Sequence, residues 1–279
     1  MRPIRLRLHS PVSHAFASAL LLVALGAGGC RAPNAKIDRF AAERAFERET
    51  VAGTDFHHVV MRNSFLLAGS VLHAYIEGDG MPFVTSVTVA ADPTPLHPLM
   101  LHLMALDMRR AVYVGRPCYF GLRIDRACNP SYWSTRRFSP EVVASMAAVI
   151  REEMQRAGAS SVQLFGHSGG GALVVLLTRQ LSVNALVTIG GNLDTDAWAN
   201  VHGYTPLIGS LNPADVVLDP VLAVRATHFV GSEDTVVPAS LVHRAAERIG
   251  GTVREIPGFS HQCCWERMWP SVLAEMARE

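Results

Sequence analysis

Charge of either sign is scarce in this 279-residue chain and nearly balanced: 25 Lys and Arg stand against 24 Asp and Glu, 18 % of residues are charged, and the formal net charge is +1. A surface without an excess of one sign does not draw in nucleic acid or an acidic polymer, so neither is expected as a partner. No internal repeat or low-complexity tract is present, and beyond the first 30 residues no apolar run is long enough to span a bilayer. The five cysteines include no spacing that suggests zinc, and neither a metal nor a redox cofactor is expected. What remains is a 49 % hydrophobic chain of a length that suits one globular domain with a full core.

The first residues read as a targeting segment. Arg2, Arg5 and Arg7 form a positive stretch, residues 15–25 a short apolar run, and the small residues 26–29 lead into Cys30, the order of an export signal. The run is too short for a comfortable transmembrane helix. The stretch before Cys30 resembles the lipobox of bacterial lipoproteins, with Ala27 where that motif usually has leucine. The resemblance implies a signal peptide over 1–29, acylation of Cys30, and a membrane partner through that lipid anchor. Because Arg31 and not aspartate follows, it implies the outer membrane, facing the periplasm. A plain secretory signal cut nearby and a single uncleaved anchor are the competing readings.

Four cysteines remain after Cys30, an even number suited to an oxidising compartment. Cys118 and Cys128 flank the loop CYFGLRIDRAC, where a bridge closes a short loop and stabilises by about 3 kcal/mol in the chain-entropy model. Cys263 and Cys264 are adjacent at what reads as the start of the last helix. Reduced core thiols, a vicinal bridge and a link to the other pair all stay open there.

Along the chain, KIDRFAAERAFERE reads as a polar spacer or surface helix within 30–55, and 56–279 as the folded domain. Period-2 and period-3.6 segments then alternate. Strands are expected over 56–61, 71–78, 111–115, 161–166, 185–191, 226–231 and 252–258. Helices are expected over 98–106, from Ser139-Pro140-Glu141 to Gly158, over 171–181 and 238–249, and at the C-terminus; 192–220 reads as irregular. Strands that alternate with helices and are apolar on both faces imply an α/β fold with a mostly parallel sheet covered on both sides.

One stretch carries the chemistry. Gly166-His167-Ser168-Gly169-Gly170 is a G-x-S-x-G pattern between an expected strand and an expected helix, a context that makes a short motif specific. Such a turn lifts its hydroxyl to the carboxyl edge of the sheet, at a helix N-terminus that favours developing negative charge. The hydroxyl needs a base, and the base needs a third group to fix its tautomer. Of twelve histidines, only His261 follows the last expected strand, in GFSHQ. His167 is expected to point away from the serine and to support the turn. For the acid, Asp234 in GSEDTVVP is favoured, with Glu233 as its solvated neighbour; Asp194 and Asp196 are the alternatives.

The order Ser168, Asp234, His261, with GSEDTVVP between nucleophile and histidine, resembles the α/β-hydrolase superfamily from about Val71 to the C-terminus. The resemblance implies the α/β-hydrolase fold with a small cap or none, because 192–225 is too short for a large helical lid. It also implies an oxyanion hole built from the Gly169 N–H and a donor after the strand YIEGDG, at Asp79 or Gly80. Many relatives begin that loop with His-Gly, where this chain has Glu77-Gly78. Tyr132, Trp133, Arg136 and Arg137 either line a pocket for an anionic or aromatic group or belong to a structural loop. The activity so implied is cleavage of a carboxylic ester or thioester from a small-molecule or lipid-like acyl substrate. Acyl transfer or peptide hydrolysis is the alternative, and a non-catalytic binding protein the last reading.

Overall fold

The computed structural model describes residues 33–64, 70–218 and 224–278. The export signal and Cys30 lie outside the described residues. The described residues form one compact unit.

An eight-stranded sheet organises the chain, in the order β1-β2-β4-β3-β5-β6-β7-β8. The edge strand β1 (Glu47–Ala52) pairs antiparallel with β2 (His57–Arg62), as does β2 with β4 (Ala111–Val114). From β4 the pairing is parallel through β3 (Val71–Ile76), β5 (Ser161–His167), β6 (Val183–Ile189), β7 (Arg225–Gly231) and β8 (Thr252–Ile256). The inner strands are apolar on both faces because both are covered: Val162, Leu164 and Phe165 of β5 are wholly buried, each stabilising by about 1.5–3 kcal/mol over the exposed state. Helices α3 (Pro140–Ala157) and α4 (Gly169–Leu177) pack on each other and on these strands, as do α2 (Leu99–Met104) and α7 (Trp265–Arg278). Under α7 the rings of Tyr75 and Phe165 stack at 4.7 Å, with Trp269 edge-on to Phe165 at 5.4 Å. α3 starts at Pro140 and ends at Gly158 in the left-handed region as the sequence indicates, although the Ser139 hydroxyl makes no capping bond.

Two expectations are corrected. Of the two readings of 30–55, the helix is the one present, but it and the strand after it belong to the sheet domain, which therefore begins before residue 56. Residues Pro33–Glu43 form α1, whose Ile37 and Ala41, four apart on one face, are both 2 % exposed, and β1 follows as the sheet's first strand. β1 reads as polar because it is an edge strand whose Glu49 pairs with Arg62 at 2.9 Å, while Val51 supplies the inward face. Arg62 is fixed from its other side by the buried Glu153 at 2.6 Å, which holds the guanidinium more firmly protonated than usual. The stretch 192–220 is not wholly irregular either: it holds α5 (Thr195–His202), capped by the Asp194 carboxylate on the Ala197 N–H (3.1 Å), and a 3-10 turn at Pro213–Asp215. α6 (Ala239–Ile249) completes the helices.

Two buried histidines make the fold sensitive to acid. His58 bridges the Gly115 carbonyl and the Ser145 hydroxyl, and His228 lies between Thr188 Oγ1 and the Gly250 carbonyl. Burial pushes each imidazole down from 6.5 to about 4. The unfolded chain therefore binds protons from pH 6.5 downward while the folded one does not, so their stabilisation is intact above 6.5 and is lost as pH falls toward 4. Denaturant unfolding at pH 7 and pH 5 should differ by about 3–4 kcal/mol from these two groups. Equal midpoints at the two pH values would contradict it.

Candidate active site

The turn between β5 and α4 holds Ser168 at φ 52° and ψ −119°, a left-handed conformation unusual for a residue with a side chain. The glycine run makes this turn possible: a Cβ at Gly170 would lie 2.2 Å from the Ile76 carbonyl oxygen, so α4 could not approach β3 with any larger residue there. The elbow is tied to the end of β6, because Ser168 N donates to the Ile189 carbonyl and Asn192 N to the Ser168 carbonyl.

Asp234 and His261 come to the same edge from the loops after β7 and β8. His261 Nδ1 lies 2.8 Å from Asp234 Oδ2, and the other carboxylate oxygen accepts from the N–H groups of Val236 (2.9 Å) and Val237 (2.8 Å). The carboxylate oxygen accepts in this contact, so Nδ1–H is the donor. The tautomer leaves Nε2 with a lone pair. Gly190, at φ 50° on the end of β6, lies beneath the pair: a Cβ there would be 2.7 Å from Asp234 Oδ2 and 3.0 Å from His261 Nδ1. The Ser168 hydroxyl makes no hydrogen bond to a described residue, a contact that free forms of such sites commonly close only with substrate.

Burial lowers the His261 pKa below the ordinary 6.5, and its hydrogen bond to Asp234 opposes that shift. In the role the sequence predicts, that of a base, His261 works neutral, so the acid limb of any activity follows the lowered value. The midpoint of kcat/KM on the acid side is expected below pH 6.5, and a midpoint above it would contradict the assignment of His261 as base.

The other acids lie elsewhere. Asp194 caps α5 and takes Asn212 Nδ2 at 3.1 Å, with Arg248 at 3.5 Å, and Asp196 accepts from the same Asn212 at 3.2 Å. Neither is bonded to His261. Of the two residues considered for the second oxyanion donor, Asp79 lies beside the elbow, its Oδ1 2.0 Å from where a Cβ on Gly169 would stand. A Cβ on Gly80 would stand 2.1 Å from the Pro93 carbonyl oxygen, which accepts from the Met81 N–H.

The Asp79 side chain has surroundings that no local motif announced. Arg116 and Arg137 each hold one of its carboxylate oxygens, and Tyr119 donates to its backbone carbonyl at 2.9 Å. Burial alone would raise this carboxyl, but the charges of Arg137 and Arg116 outweigh it and bring it down to about 2. Arg137 and Trp133 are therefore structural in this fold: both are buried, Arg137 on Asp79 and Trp133 Nε1 on the Ala90 carbonyl (3.0 Å). Tyr132 packs edge-on to Phe56 and under Arg136. Cys118 and Cys128 are bridged, with Cα atoms 5.6 Å apart, and Cys263 and Cys264 are joined to each other. Among the described residues no cluster of His, Cys, Asp and Glu could hold a metal ion.

No family model matches the sequence, and no curated protein is similar to it. Solved structures are. An α/β serine hydrolase without lid from Xanthomonas campestris superposes with a TM-score of 0.51 at 12 % identity, over 84 % of this chain and 92 % of that one. An esterase/lipase from an uncultured bacterium gives 0.56 at 12 % identity over 90 % and 92 % of the two chains. Est1E from Butyrivibrio proteoclasticus gives 0.53 at 12 % over 82 % and 98 %. With a mostly parallel eight-stranded sheet flanked by helices, and likeness of this extent to such structures, the protein has the α/β-hydrolase fold.

Proposed function

We propose that the chain is a serine hydrolase that cleaves a carboxylic ester or thioester through an acyl-Ser168 intermediate. The observation that carries the reading is the Asp234–His261 pair, 2.8 Å apart, with its acid buried, beside the strained Ser168 turn. His261 Nε2 takes the Ser168 proton as Oγ attacks the substrate carbonyl, and then gives it to the departing alcohol or thiol. Water, deprotonated by the same nitrogen, next attacks the acyl-enzyme and frees Ser168. The N–H groups of Gly169 and of Asp79 or Gly80 bind the oxyanion formed in each half. The exposed Met81, Phe83 and Val84 follow that loop directly and suit an acyl chain.

A panel of short and long acyl esters, a thioester and a peptide amide, tested with the chain begun just after Cys30, decides the substrate class. Ester or thioester turnover is expected. Amide turnover alone would replace the reading with peptide hydrolysis, and acyl-enzyme released only by an added alcohol or amine with acyl transfer.

We further propose that Cys30 is acylated, placing this activity at the outer membrane on the periplasmic side. Among the described residues no helix is long and apolar enough to cross a membrane, so in this reading anchoring rests on the lipid. Because α1 begins at Pro33 and belongs to the domain, the anchor precedes folded protein by only a few residues. The wild-type chain should fractionate with membranes as an acylated, processed protein, and Cys30→Ser should be either unprocessed or released in soluble form. An unmodified mature N-terminus beginning elsewhere than Cys30 would contradict this, leaving the catalytic reading untouched.

A further inference from the structure

Beside the Asp234–His261 pair lies a second acid–imidazole pair that the hydrolytic steps leave unused. Glu77, at the end of β3, and His167, the residue before Ser168, are 4 % and 2 % exposed. The two oxygens of Glu77 accept from Gly78 N (3.1 Å) and Met100 N (2.9 Å), which fixes the carboxylate against the loop that carries Asp79. His167 Nδ1 stands 3.5 Å from Glu77 Oε1. Its Nε2 lies 3.0 Å from the backbone carbonyl of His261. A carbonyl only accepts, so Nε2 carries the hydrogen and donates. The rings of His167 and His261 lie 4.6 Å apart, centroid to centroid.

The two halves of the site thus meet through one side chain. Asp234 fixes the imidazole of His261; His167 fixes the backbone that carries it and is covalently next to the nucleophile. We propose that His167, through its hydrogen bond to the His261 carbonyl, is a positioning residue that sets the height of the His261 loop over Ser168, and so the distance across which the proton moves. The proposal deepens the hydrolytic reading and rests on it. One neutral hydrogen bond adds little to the stability of a domain of this size, whereas a misplacement of about 1 Å in a reacting pair costs about 10²-fold in rate. The effect should therefore fall on kcat far more than on folding.

His167→Asn and His167→Gln separate the roles, because the Gln amide reaches the place of Nε2 and the Asn amide does not. With the ester that wild type turns over best, His167→Asn should lower kcat about 10²-fold, with KM within about twofold and a melting temperature within a few degrees of wild type. His167→Gln should recover kcat to within about tenfold, because it restores the donor to the His261 carbonyl. Equal kcat in wild type and His167→Asn, or equal losses in Asn and Gln, overturns the positioning role while leaving ester hydrolysis standing. If His167→Asn does not fold, the proposal stands or falls on His167→Gln alone, which must then fold and retain kcat. A wild type inactive on every ester and thioester overturns the hydrolytic reading and this role with it.

Discussion

Ser168→Ala should abolish ester hydrolysis, lowering kcat by about 10⁶-fold, the loss found when another triad hydrolase is stripped of its nucleophile. Alanine keeps the Cβ that the turn accommodates and carries the same penalty at φ 52° as serine, so the elbow itself should survive. The Ser168 backbone bonds to Ile189 and from Asn192 are also unchanged by the substitution. The variant should melt with wild type, since it loses one hydroxyl that bonds to no described residue. Comparison of kcat and melting temperature in parallel checks it, and an alanine variant with more than a few per cent of wild-type activity would remove Ser168 from the chemistry.

Asp234→Asn should cost about 10⁴-fold in kcat with folding nearly intact, as loss of the acid does in a triad where it has been measured. The Asn carbonyl oxygen can still accept from Val236 and Val237, which keeps the loop in place. Its amide then presents a donor to His261 Nδ1, and the imidazole must move its proton to Nε2, the atom needed as base. The base is lost through its tautomer and not through its position. Asp194→Asn is the control: asparagine caps a helix about as well as aspartate, so α5 and the activity should both be retained. A dead Asp194→Asn beside an active Asp234→Asn would move the acid to the loop after β6.

The features legible in the sequence were those written in neighbouring residues. The elbow is one turn with its strand and helix on either side, Asp234 follows the apolar strand β7, and His261 follows the last strand of the alternating pattern, so their order along the chain indicates one sheet edge. What escaped was decided by partners far away. β1 is polar in isolation and becomes a strand through β2 and Arg62, which answers to Glu153 91 residues later. The Asp79 side chain is set by arginines 37 and 58 residues on, and no local pattern marks a carboxylate for burial between them. The sequence places His167 as a support of its turn, facing away from the serine. Its bond to the His261 carbonyl, 94 residues distant, arises only once both loops reach the same edge.

Incubation of the wild-type chain with a fluorophosphonate, followed by intact mass and peptide mapping, tests the catalytic reading most directly. A hydroxyl activated by the Asp234–His261 pair should take up one adduct, mapped to Ser168 and absent from Ser168→Ala. Equal labelling of the two proteins, an adduct on another residue, or no labelling of the folded wild type would contradict it.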